Sequence, residues 1–399
     1  MEINVLGYVA SILDNDLYKF SMSYAYMTLY PLAEGRFTFK DRSNETWTQE
    51  EIDEVNRGFC AMGQLKLTDE EFNWAVKNIP YIPTYFWEWL KSFRFDFNKV
   101  KAYLDEEKHI QFSVFDRIAL STLYEVPCLK VASSVRNHRY NCLMKDVERI
   151  AREKALYALE HDLKFADFGT RRCFSHDVHD KVLEVLFSVC PNNCVGTSNV
   201  YFAKKYGVKP IGTMAHEWIM FHAGCFGFKR ANYLALEDWV KVYDGNLGIA
   251  LIDTYTTESF LRTLTLKQAK LFDGLRQDSG DEYKIGNMII DRYKEFKIDP
   301  TDKTITFSNA LTLEKFNDIT NYFRGRIKVA SGGIGTFLTC DPGIEGFKAP
   351  NFIMKLTECR LSPKDPIEPV IKISDDVGKH MGDPALFEIA KNELHLNID

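Results

Sequence analysis

The stretch Pro210-Ile-Gly-Thr-Met-Ala-His-Glu-Trp218 sets the pattern by which the rest of the chain is interpreted. Residues 208–211 are typical of a strand end, Gly212 and Thr213 interrupt it, and residues 214–223 continue at helical spacing. His216 therefore stands where a strand passes into a helix, and unpaired backbone N–H groups and the helix dipole favour anions there. It either acts on a phosphate as acid, base or nucleophile, or serves as a core or capping histidine.

The same strand–tip–helix pattern recurs through the second half of the chain. Predicted strands cover residues 165–168, 194–195, 208–211, 247–252, 272–275, 304–307 and 327–330. Predicted helices cover residues 145–161, 177–189, 214–223, 258–270, 284–296 and 313–323. About seven such units predict a parallel sheet that curves toward a barrel, with functional groups at the carboxyl ends of its strands.

The two ends of the chain follow a different pattern. Asp14 or Asn15 can cap a helix over residues 16–27, which is apolar nearly all round and so is expected to be buried. A strand over residues 36–40 and short helices over residues 48–59 and 68–78 follow, and strand-like segments return at residues 352–356 and 370–374. We predict an N-terminal α+β domain of residues 1–135, completed by about residues 345–399, and a barrel domain of residues 136–344.

Composition limits the kind of protein. The chain has 399 residues, 45% of them hydrophobic, and a formal charge of −6 with no long basic run, so nothing points to nucleic acid. Nine scattered cysteines suit a reducing compartment, and the closest pair, Cys190 and Cys194, lacks the second pair of a zinc ribbon. The N-terminus lacks the pattern of a secretory signal and no apolar run is long enough to span a membrane, so we expect a cytoplasmic protein.

The tips carry groups suited to phosphate. Ser331-Gly-Gly-Ile-Gly-Thr336 either lets backbone N–H groups approach a phosphate or is simply a tight loop. Arg276, Asp278 and Asp281 can hold phosphate and Mg²⁺, although Arg276 and Asp278 can equally form a plain salt bridge.

Other tips suit an aromatic acid. Asp253 ends an apolar strand and is expected to partner His216, fixing the tautomer of its ring. Phe168 offers a flat ring for stacking, and Arg171 and Arg172 offer a fork for a carboxylate. From the residues alone, the site suits an aromatic acid and a phosphorylated sugar.

Taken together, the motifs resemble those of the nicotinate phosphoribosyltransferase family, a type II phosphoribosyltransferase family. The resemblance runs in order over nearly the whole chain through Leu17-Tyr-Lys-Phe20, Asp167-Phe-Gly-Thr-Arg-Arg172, Gly196-Thr-Ser-Asn199, Gly212-Thr-Met-Ala-His-Glu-Trp218, Gly274-Leu-Arg-Gln-Asp-Ser-Gly-Asp281 and Gly333-Ile-Gly-Thr336. It implies an incomplete α/β barrel with a second α+β domain built from the N-terminal region and the C-terminal segment.

The resemblance also implies an activity. Nicotinate and phosphoribosyl pyrophosphate would give nicotinate mononucleotide and pyrophosphate, coupled to ATP hydrolysis, in the first step of NAD salvage from nicotinic acid. Mg²⁺ would enter with pyrophosphate rather than in a metal site of the protein. Family members commonly place the active site at a homodimer interface.

Residue roles follow from the same resemblance. His216 matches the histidine that ATP phosphorylates, and Asp253 the carboxylate beside it. Phe168 and Tyr18 match the two faces that sandwich the ring, with Tyr18 expected from the neighbouring subunit. The remaining matched substrate contacts are Arg171, Thr197, Ser198, Arg276, Asp278, Ser279, Asn309, Gly333, Gly335 and Thr336.

Two positions bear on substrate choice. Ser198 stands where the related nicotinamide enzyme carries an Asp, and the absence of that charge favours the acid over the amide. Asn309 stands where many relatives have an Asp for the ribose hydroxyls, and an amide can still accept a hydrogen bond there. His176, His179 and His222 are interpreted as helix-surface or packing residues.

Other functions remain open at this stage. The sister enzyme that acts on quinolinate needs no ATP but needs extra basic residues that the sequence does not reveal. A barrel lyase or hydrolase could use His216 and Asp253 as an acid/base pair on a sugar phosphate, and a barrel scaffold could lack catalysis altogether.

Overall fold

A computed structural model of the chain describes residues 7–376 and 382–396. Residues 1–6, 377–381 and 397–399, which belong to the ends of the predicted domains, lie outside the described residues. In the described ranges, no helix combines the length and the hydrophobicity that crossing a lipid bilayer requires.

The described strands fall into a parallel and an antiparallel group. In chain order they are β1 (Glu34–Asp41), β2 (Tyr103–Leu104), β3 (Ile110–Gln111), β4 (Ser113–Arg117), β5 (Phe165–Asp167), β6 (Cys194–Thr197), β7 (Lys209–Pro210), β8 (Ile249–Leu251), β9 (Gly274–Gln277), β10 (Thr304–Phe307), β11 (Val329–Ile334), β12 (Phe352–Arg360) and β13 (Glu368–Pro369).

The helices connect and cover these strands. They are α1 (Leu17–Leu29), α2 (Gln49–Met62), α3 (Asp69–Asn78), α4 (Thr84–Ser92), α5 (Ile118–Asn137), α6 (Met144–Glu160), α7 (His176–Val189), α8 (Val200–Tyr206), α9 (His216–Phe226), α10 (Phe228–Tyr243), α11 (Thr257–Thr263), α12 (Leu266–Leu271), α13 (Glu282–Glu295), α14 (Leu313–Phe323), α15 (Thr336–Thr339) and α16 (Pro384–Glu393).

The parallel sheet is the predicted barrel, and it is incomplete. Its seven strands run in the order β7-β6-β5-β11-β10-β9-β8, and β7 and β8 are its edges. The gap between those edges is spanned by the Thr213 hydroxyl, which donates to the Ile249 carbonyl at 2.8 Å. Helix α1 lies against this gap, where Ser21 Oγ donates to the Thr213 carbonyl at 2.7 Å. The predicted fold class is therefore confirmed.

The antiparallel sheet joins the two ends of the chain. Its order is β13-β12-β1-β4, so β1 from the N-terminal region pairs with β12 from the C-terminal segment. The second domain is thus built from both ends, as expected. The domain boundaries near residues 135 and 344 stay a prediction.

Two of the predicted helices differ from the observed ones at their capping residues. Helix α1 begins after Asp16 rather than after Asp14 or Asn15, and the Asp16 side chain makes no capping bond among the described residues. The predicted helix over residues 258–270 is divided into α11 and α12. Leu264 is extended, and Thr265 opens α12 with a capping box to Gln268, which satisfies the free N–H groups of a new helix.

Predicted strand ends also shifted where glycines lie close to neighbouring strands. Strand β9 covers Gly274–Gln277 rather than residues 272–275, and its first position needs a glycine because a Cβ there would lie 2.1 Å from the Thr304 carbonyl oxygen. Arg276 consequently belongs to the strand itself. Strand β11 runs on to Ile334, so most of the glycine-rich segment that was predicted to be a tip is paired in the sheet.

The segment 370–375 lies in an unexpected place. We predicted that it packs against the N-terminal unit, but it runs beside the end of β8. Ile373 N donates to the Thr254 carbonyl at 2.9 Å, and Thr256 N donates to the Ile373 carbonyl at 3.0 Å. These backbone bonds bring Lys372 to the carboxyl edge of the parallel sheet.

Candidate active site

A solvent-open cavity lies at the carboxyl edge of the parallel sheet, next to α1, and its empty volume, open solvent included, is about 480 Å³. The residues that line it are Asp16, Tyr18, Phe168, Arg171, Ser198, Ile211, Gly212, Ala215, His216, Leu251, Arg276 and Asp278. Seven of these were predicted from the sequence: Tyr18, Phe168, Arg171, Ser198, His216, Arg276 and Asp278. We call Asp16, Tyr18, Phe168, Arg171 and Ser198 the ring end, and His216, Asp253, Arg276, Asp278 and Lys372 the histidine end.

His216 is the first residue of α9, and its side chain is 15% exposed. Its Nδ1 lies 3.0 Å from Thr254 Oγ1, and its Nε2 lies 2.9 Å from Lys372 Nζ and 3.2 Å from Asp278 Oδ2. Burial and the Lys372 ammonium lower the pKa of His216 to about 4, against the pull of Asp253 and Asp278. The imidazole is therefore uncharged at neutral pH. With Nε2 accepting from Lys372, Nδ1 carries the proton and donates to Thr254.

The carboxylate on the His216 ring is Asp278 rather than the expected Asp253. Asp253 instead accepts a hydrogen bond from Ser279 Oγ and lies 3.6 Å from Lys372 Nζ. A direct His216–Asp253 bond was the wrong prediction, because the Thr254 hydroxyl already occupies Nδ1. Asp253 still lies close, since one ligand atom from each of His216, Asp253 and Asp278 falls within 4.8 Å of the others.

Arg276 and Asp278 form the salt bridge that the sequence left open, and both face the cavity. Arg276 Nη2 lies 2.9 Å from Asp278 Oδ1, and Arg276 Nε donates to Ser308 Oγ at 2.9 Å. Burial alone would raise the pKa of Asp278, but the Arg276 guanidinium and the Lys372 ammonium lower it well below its usual value. A fixed cation and a fixed carboxylate thus stand side by side at the histidine end.

At the ring end, aromatic side chains form the walls. Tyr18 and Phe168 both line the cavity. The Tyr18 that does so belongs to the same chain, and a Tyr18 that enters from a neighbouring subunit stays a prediction. Helix α1 carries the same-chain Tyr18 there because α1 lies against the open edge of the barrel. A Cβ on Gly333 would lie 2.4 Å from the Phe168 ring, so that glycine leaves room for the ring.

Arg171 joins the ring end to a buried ionic network. Its Nη1 lies 3.3 Å from Glu125 Oε1, and Lys19 forms ion pairs with both Glu125 and Glu217. The Lys19 side chain is fully buried and both glutamates are nearly so. Glu217 is the residue after His216, and Arg171 lies at the ring end. The ionic network therefore connects the two ends of the cavity.

The other predicted contacts lie behind or beside the cavity. Thr197 is buried and donates to Asp167 Oδ2 at 2.6 Å, and Asp167 also bonds His179 Nε2 at 2.8 Å. Asn309 Nδ2 donates to the Gly280 carbonyl at 3.2 Å. Gly335 and Thr336 lie at the start of α15, where β11 ends. Asp281 is exposed and caps α13 with its side chain, and its place in a phosphate or Mg²⁺ site stays a prediction.

The remaining predicted residues have structural partners. Arg172 does not line the cavity, and its Nη1 lies 3.4 Å from Asn351 Oδ1. His176, His179 and His222 are buried rather than on helix surfaces, so the packing alternative is confirmed. His176 Nδ1 lies 3.0 Å from Asp14 Oδ2 and His222 Nε2 3.2 Å from Asp238 Oδ2, which compensates their burial.

Sequence reasoning missed Lys372, Lys355 and the buried network. Burial and the neighbouring cations Lys372 and Arg42 lower the pKa of Lys355 to about 7. Closely spaced cations of this kind favour a polyanionic ligand. The one available signal was a lysine inside an apolar alternation, Val370-Ile-Lys-Ile-Ser374.

Comparison with known proteins agrees with the motifs. Residues 163–397 match the nicotinate phosphoribosyltransferase (NAPRTase) family and residues 13–133 match the NAPRTase N-terminal domain. Nicotinate phosphoribosyltransferase from Chromohalobacter salexigens is 40% identical over 391 residues, which cover 97% of this chain and 98% of that protein. That from Methanococcoides burtonii is 36% identical and covers 96% of each chain.

A solved structure is similar throughout. The crystal structure of nicotinate phosphoribosyltransferase from Porphyromonas gingivalis superposes with a TM-score of 0.94 at 41% identity and covers 97% of this chain and 99% of that one. Both sequence and fold are therefore shared over nearly the full length. The chain belongs to the nicotinate phosphoribosyltransferase family of enzymes.

Proposed function

We propose that this protein transfers the phosphoribosyl group of phosphoribosyl pyrophosphate to nicotinate, with ATP hydrolysed to ADP and phosphate through a phosphohistidine at His216. The products are nicotinate mononucleotide and pyrophosphate, and the reaction is the first step of NAD salvage from nicotinic acid. The observation that carries the proposal is one cavity with an uncharged, buried histidine at one end and two aromatic walls with an arginine at the other.

The ring end holds the pyridine. Its ring enters between Tyr18 and Phe168, and its carboxylate meets Arg171 and Ser198. An arginine that approaches a carboxylate in a buried site forms a strong charge-assisted hydrogen bond. This arrangement aims the ring nitrogen along the cavity toward the histidine end.

The transfer step needs orientation more than proton transfer. The pyridine nitrogen already has a free electron pair, so it forms the bond to the anomeric carbon as the carbon–oxygen bond to pyrophosphate breaks. Arg276 and Asp278 position pyrophosphate and ribose, with Asn309 and Ser279 beside them. Gly333, Gly335, Thr336 and Thr197 shape the 5′-phosphate side. Fixed groups that lower the barrier by position and charge suit an oxocarbenium-like state.

His216 takes part in ATP coupling. Its Nε2 is the ring nitrogen without a proton, so it can attack the terminal phosphorus of ATP, and ADP leaves with the bonding electrons. Lys372, at 2.9 Å from Nε2, compensates the charge of the incoming phosphoryl group. Water later releases phosphate and regenerates the imidazole, which makes the overall reaction that of an ATP-coupled ligase.

Mg²⁺ enters this scheme with pyrophosphate, as part of the substrate. The carboxylates of Asp253 and Asp278 suit Mg²⁺, and in the described part of the chain Asp253 Oδ1 is buried without a hydrogen-bond partner. Lys372, however, already provides a positive charge to this cluster, at 3.6 Å from Asp253 Oδ2. The cluster therefore does not fit a resident metal ion.

The assembly and location of the protein rest on the family resemblance. We propose a homodimer in the cytoplasm, and light scattering of the purified protein measures the first of these. Because Tyr18 of the same chain lines the cavity, the ring end does not need a partner to provide that ring.

The test is product formation from nicotinate, phosphoribosyl pyrophosphate and Mg²⁺, with and without ATP, together with the mass of the intact protein. We expect nicotinate mononucleotide, stimulation by ATP, and one acid-labile phosphate on His216. Product without phosphoenzyme would keep the transferase and remove the histidine step. Product from quinolinate and none from nicotinate would replace the proposal with the decarboxylating reaction.

A further inference from the structure

We propose that Asp16 is a specificity-determining residue that shares one proton with the carboxylate of the pyridine substrate and so distinguishes the acid from the amide. The inference rests on the proposed function, because it concerns how the ring end binds nicotinate. Asp16 was not among the site residues predicted from the sequence.

Asp16 occupies a helix-cap position but does not act as a cap. It precedes α1, and among the described residues its carboxylate makes no bond to the N–H groups of that helix. Its Oδ1 instead accepts from Ser198 Oγ at 2.7 Å, and both residues line the cavity. The Asp16 carboxylate therefore contributes to the ring end of the cavity rather than to the end of helix α1.

The backbone fixes the two side chains relative to each other. Leu17 N donates to the Ser198 carbonyl at 2.8 Å, and Asp16 and Asn199 form an antiparallel bridge. Asp16 is 2% exposed and Ser198 is 3% exposed. Ser198 replaces the Asp of the related nicotinamide enzyme, but it does not remove carboxyl chemistry from the ring end. The carboxyl group of Asp16 accepts a hydrogen bond from the Ser198 hydroxyl.

The charges around Asp16 leave it poorly compensated. Arg171 is the cation that faces it, but the guanidinium of Arg171 contacts Glu125 at 3.3 Å. Thr170 and Ser198 also face it, and Asp167 adds a second negative charge. Burial raises the pKa of Asp16, against the pull of Arg171 and Ser198. A buried carboxyl group with these neighbours holds its proton more readily than an exposed one.

Arrival of nicotinate strengthens that tendency. Two ionised carboxylates in one pocket repel each other, whereas one proton shared between them forms a short, strong O–H···O⁻ bond. Nicotinate thus binds together with a proton on Asp16, and Arg171 compensates the remaining charge. Nicotinamide brings no charge and needs no proton, and an ionised Asp16 can accept from its amide N–H group. The preference for acid over amide is therefore expected to fall as the pH rises.

The first measurement is nicotinate binding by calorimetry from pH 6 to 9, in buffers with different ionisation enthalpies, with nicotinamide as the comparison ligand. In the pH range where free Asp16 is ionised, we expect nicotinate to bind with uptake of one proton and to lose affinity about tenfold for each pH unit. Nicotinamide is expected to take up none. Nicotinate binding with no proton uptake at any pH would overturn the inference.

Two variants sharpen the test. Asp16→Asn keeps the shape and cannot titrate, so nicotinate should bind without proton uptake and with a flat pH profile. Ser198→Ala removes a bond that stabilises the charged form, so the loss of affinity should move to higher pH. An unchanged profile in Ser198→Ala would contradict the inference even if Asp16→Asn failed to fold.

The two proposals fail in different ways. A protein that forms no nicotinate mononucleotide at any pH removes the proposed function, and the role of Asp16 with it. A protein that forms the product but binds nicotinate without a proton keeps the function and removes only the role of Asp16.

Discussion

The ring end and the histidine end of the cavity treat charge in opposite ways. At the ring end, the cations Arg171 and Lys19 are matched by buried carboxylates, Glu125 and Glu217. At the histidine end, Lys372 lies between the uncharged His216 and the carboxylate of Asp253, and Arg276 pairs with Asp278. Lys355 and Arg42 lie nearby. The first arrangement pairs its cations with buried glutamates, whereas the second gathers several cationic side chains around two carboxylates.

The difference indicates what each end is for. Compensated charges hold a fixed shape, which suits recognition of one small planar acid. Several closely spaced cations attract polyanions and stabilise charge that develops on phosphate groups. Substitutions at the two ends should therefore fail in different measurements.

The largest effect is expected at the histidine end. His216→Asn removes the nucleophile, so phosphate incorporation should fall to background and ATP-stimulated turnover should fall roughly 100-fold or more. Basal transfer without ATP should persist, because the ring end is intact. Intact-protein mass and turnover with and without ATP measure both. The exposed His161→Asn is the matched control, and full ATP stimulation in His216→Asn would contradict the role of His216.

The next effect separates the neighbouring arginines at the ring end. Arg171→Met should raise the KM for nicotinate roughly 10- to 100-fold, because a buried carboxylate loses a charge-assisted hydrogen bond worth about 1.5–3 kcal/mol. Arg172→Met, which changes a side chain that does not line the cavity, is the matched control and should leave that KM nearly unchanged. Equal effects of the two substitutions would mean that the combined positive charge of both arginines, rather than direct contact with Arg171, binds nicotinate.

A smaller effect follows from the pKa of His216. Lys372 and burial lower that pKa to about 4, so His216 is neutral throughout the range from pH 6 to 8. Lys372→Met should raise the pKa, and protonated imidazole cannot attack phosphorus. Phosphoenzyme formation in this variant should be roughly three- to tenfold slower at pH 6 than at pH 8.

Rapid-quench measurement of the phosphoenzyme at the two pH values gives this ratio, so any general loss of ATP affinity cancels. The exposed Lys364→Met should behave like the unchanged protein. A ratio near one in Lys372→Met would show that burial alone keeps His216 neutral.

The smallest effect concerns the stability of the network between the two ends. Burial and Glu125 raise the pKa of Glu217 to about 7, against Lys19, from a usual value of 4.5. An acid whose pKa is raised by folding stabilises the fold below its unfolded pKa, and that contribution disappears as the pH rises through 7. Glu217→Gln, a neutral mimic, should therefore flatten the fall in Tm between pH 5 and 8.

Glu125→Gln provides the contrast. Glu125 is the ionised partner of Arg171 and of the fully buried Lys19, so its loss leaves the Lys19 ammonium without an ionised partner and should cost about 3–5 kcal/mol. Thermal and urea unfolding of both variants across this pH range tests the assignment. A greater loss of stability in Glu217→Gln than in Glu125→Gln would mean that Glu125, rather than Glu217, holds the proton.

The sequence by itself determined the local structure and the family. Strand β10 and helix α14 were predicted with their observed ends, and most other elements within a few residues. This was possible because periodicity and turn residues are local signals. The positions of Phe168, Arg171 and His216 beyond strand ends also followed, since parallel strands place their carboxyl ends at one edge.

Only the tertiary structure decided which side chains meet. Lys372 reaches His216 across 156 residues of sequence, because backbone bonds dock segment 370–375 beside β8. Tyr18 and Asp16 enter the cavity because α1 lies against the incomplete edge of the barrel. Thr254 and Asp278, rather than Asp253, contact the His216 ring because of how the strand ends and α9 pack together. Such contacts depend on how separate elements pack in three dimensions, and no repeat or spacing along the chain encodes that packing.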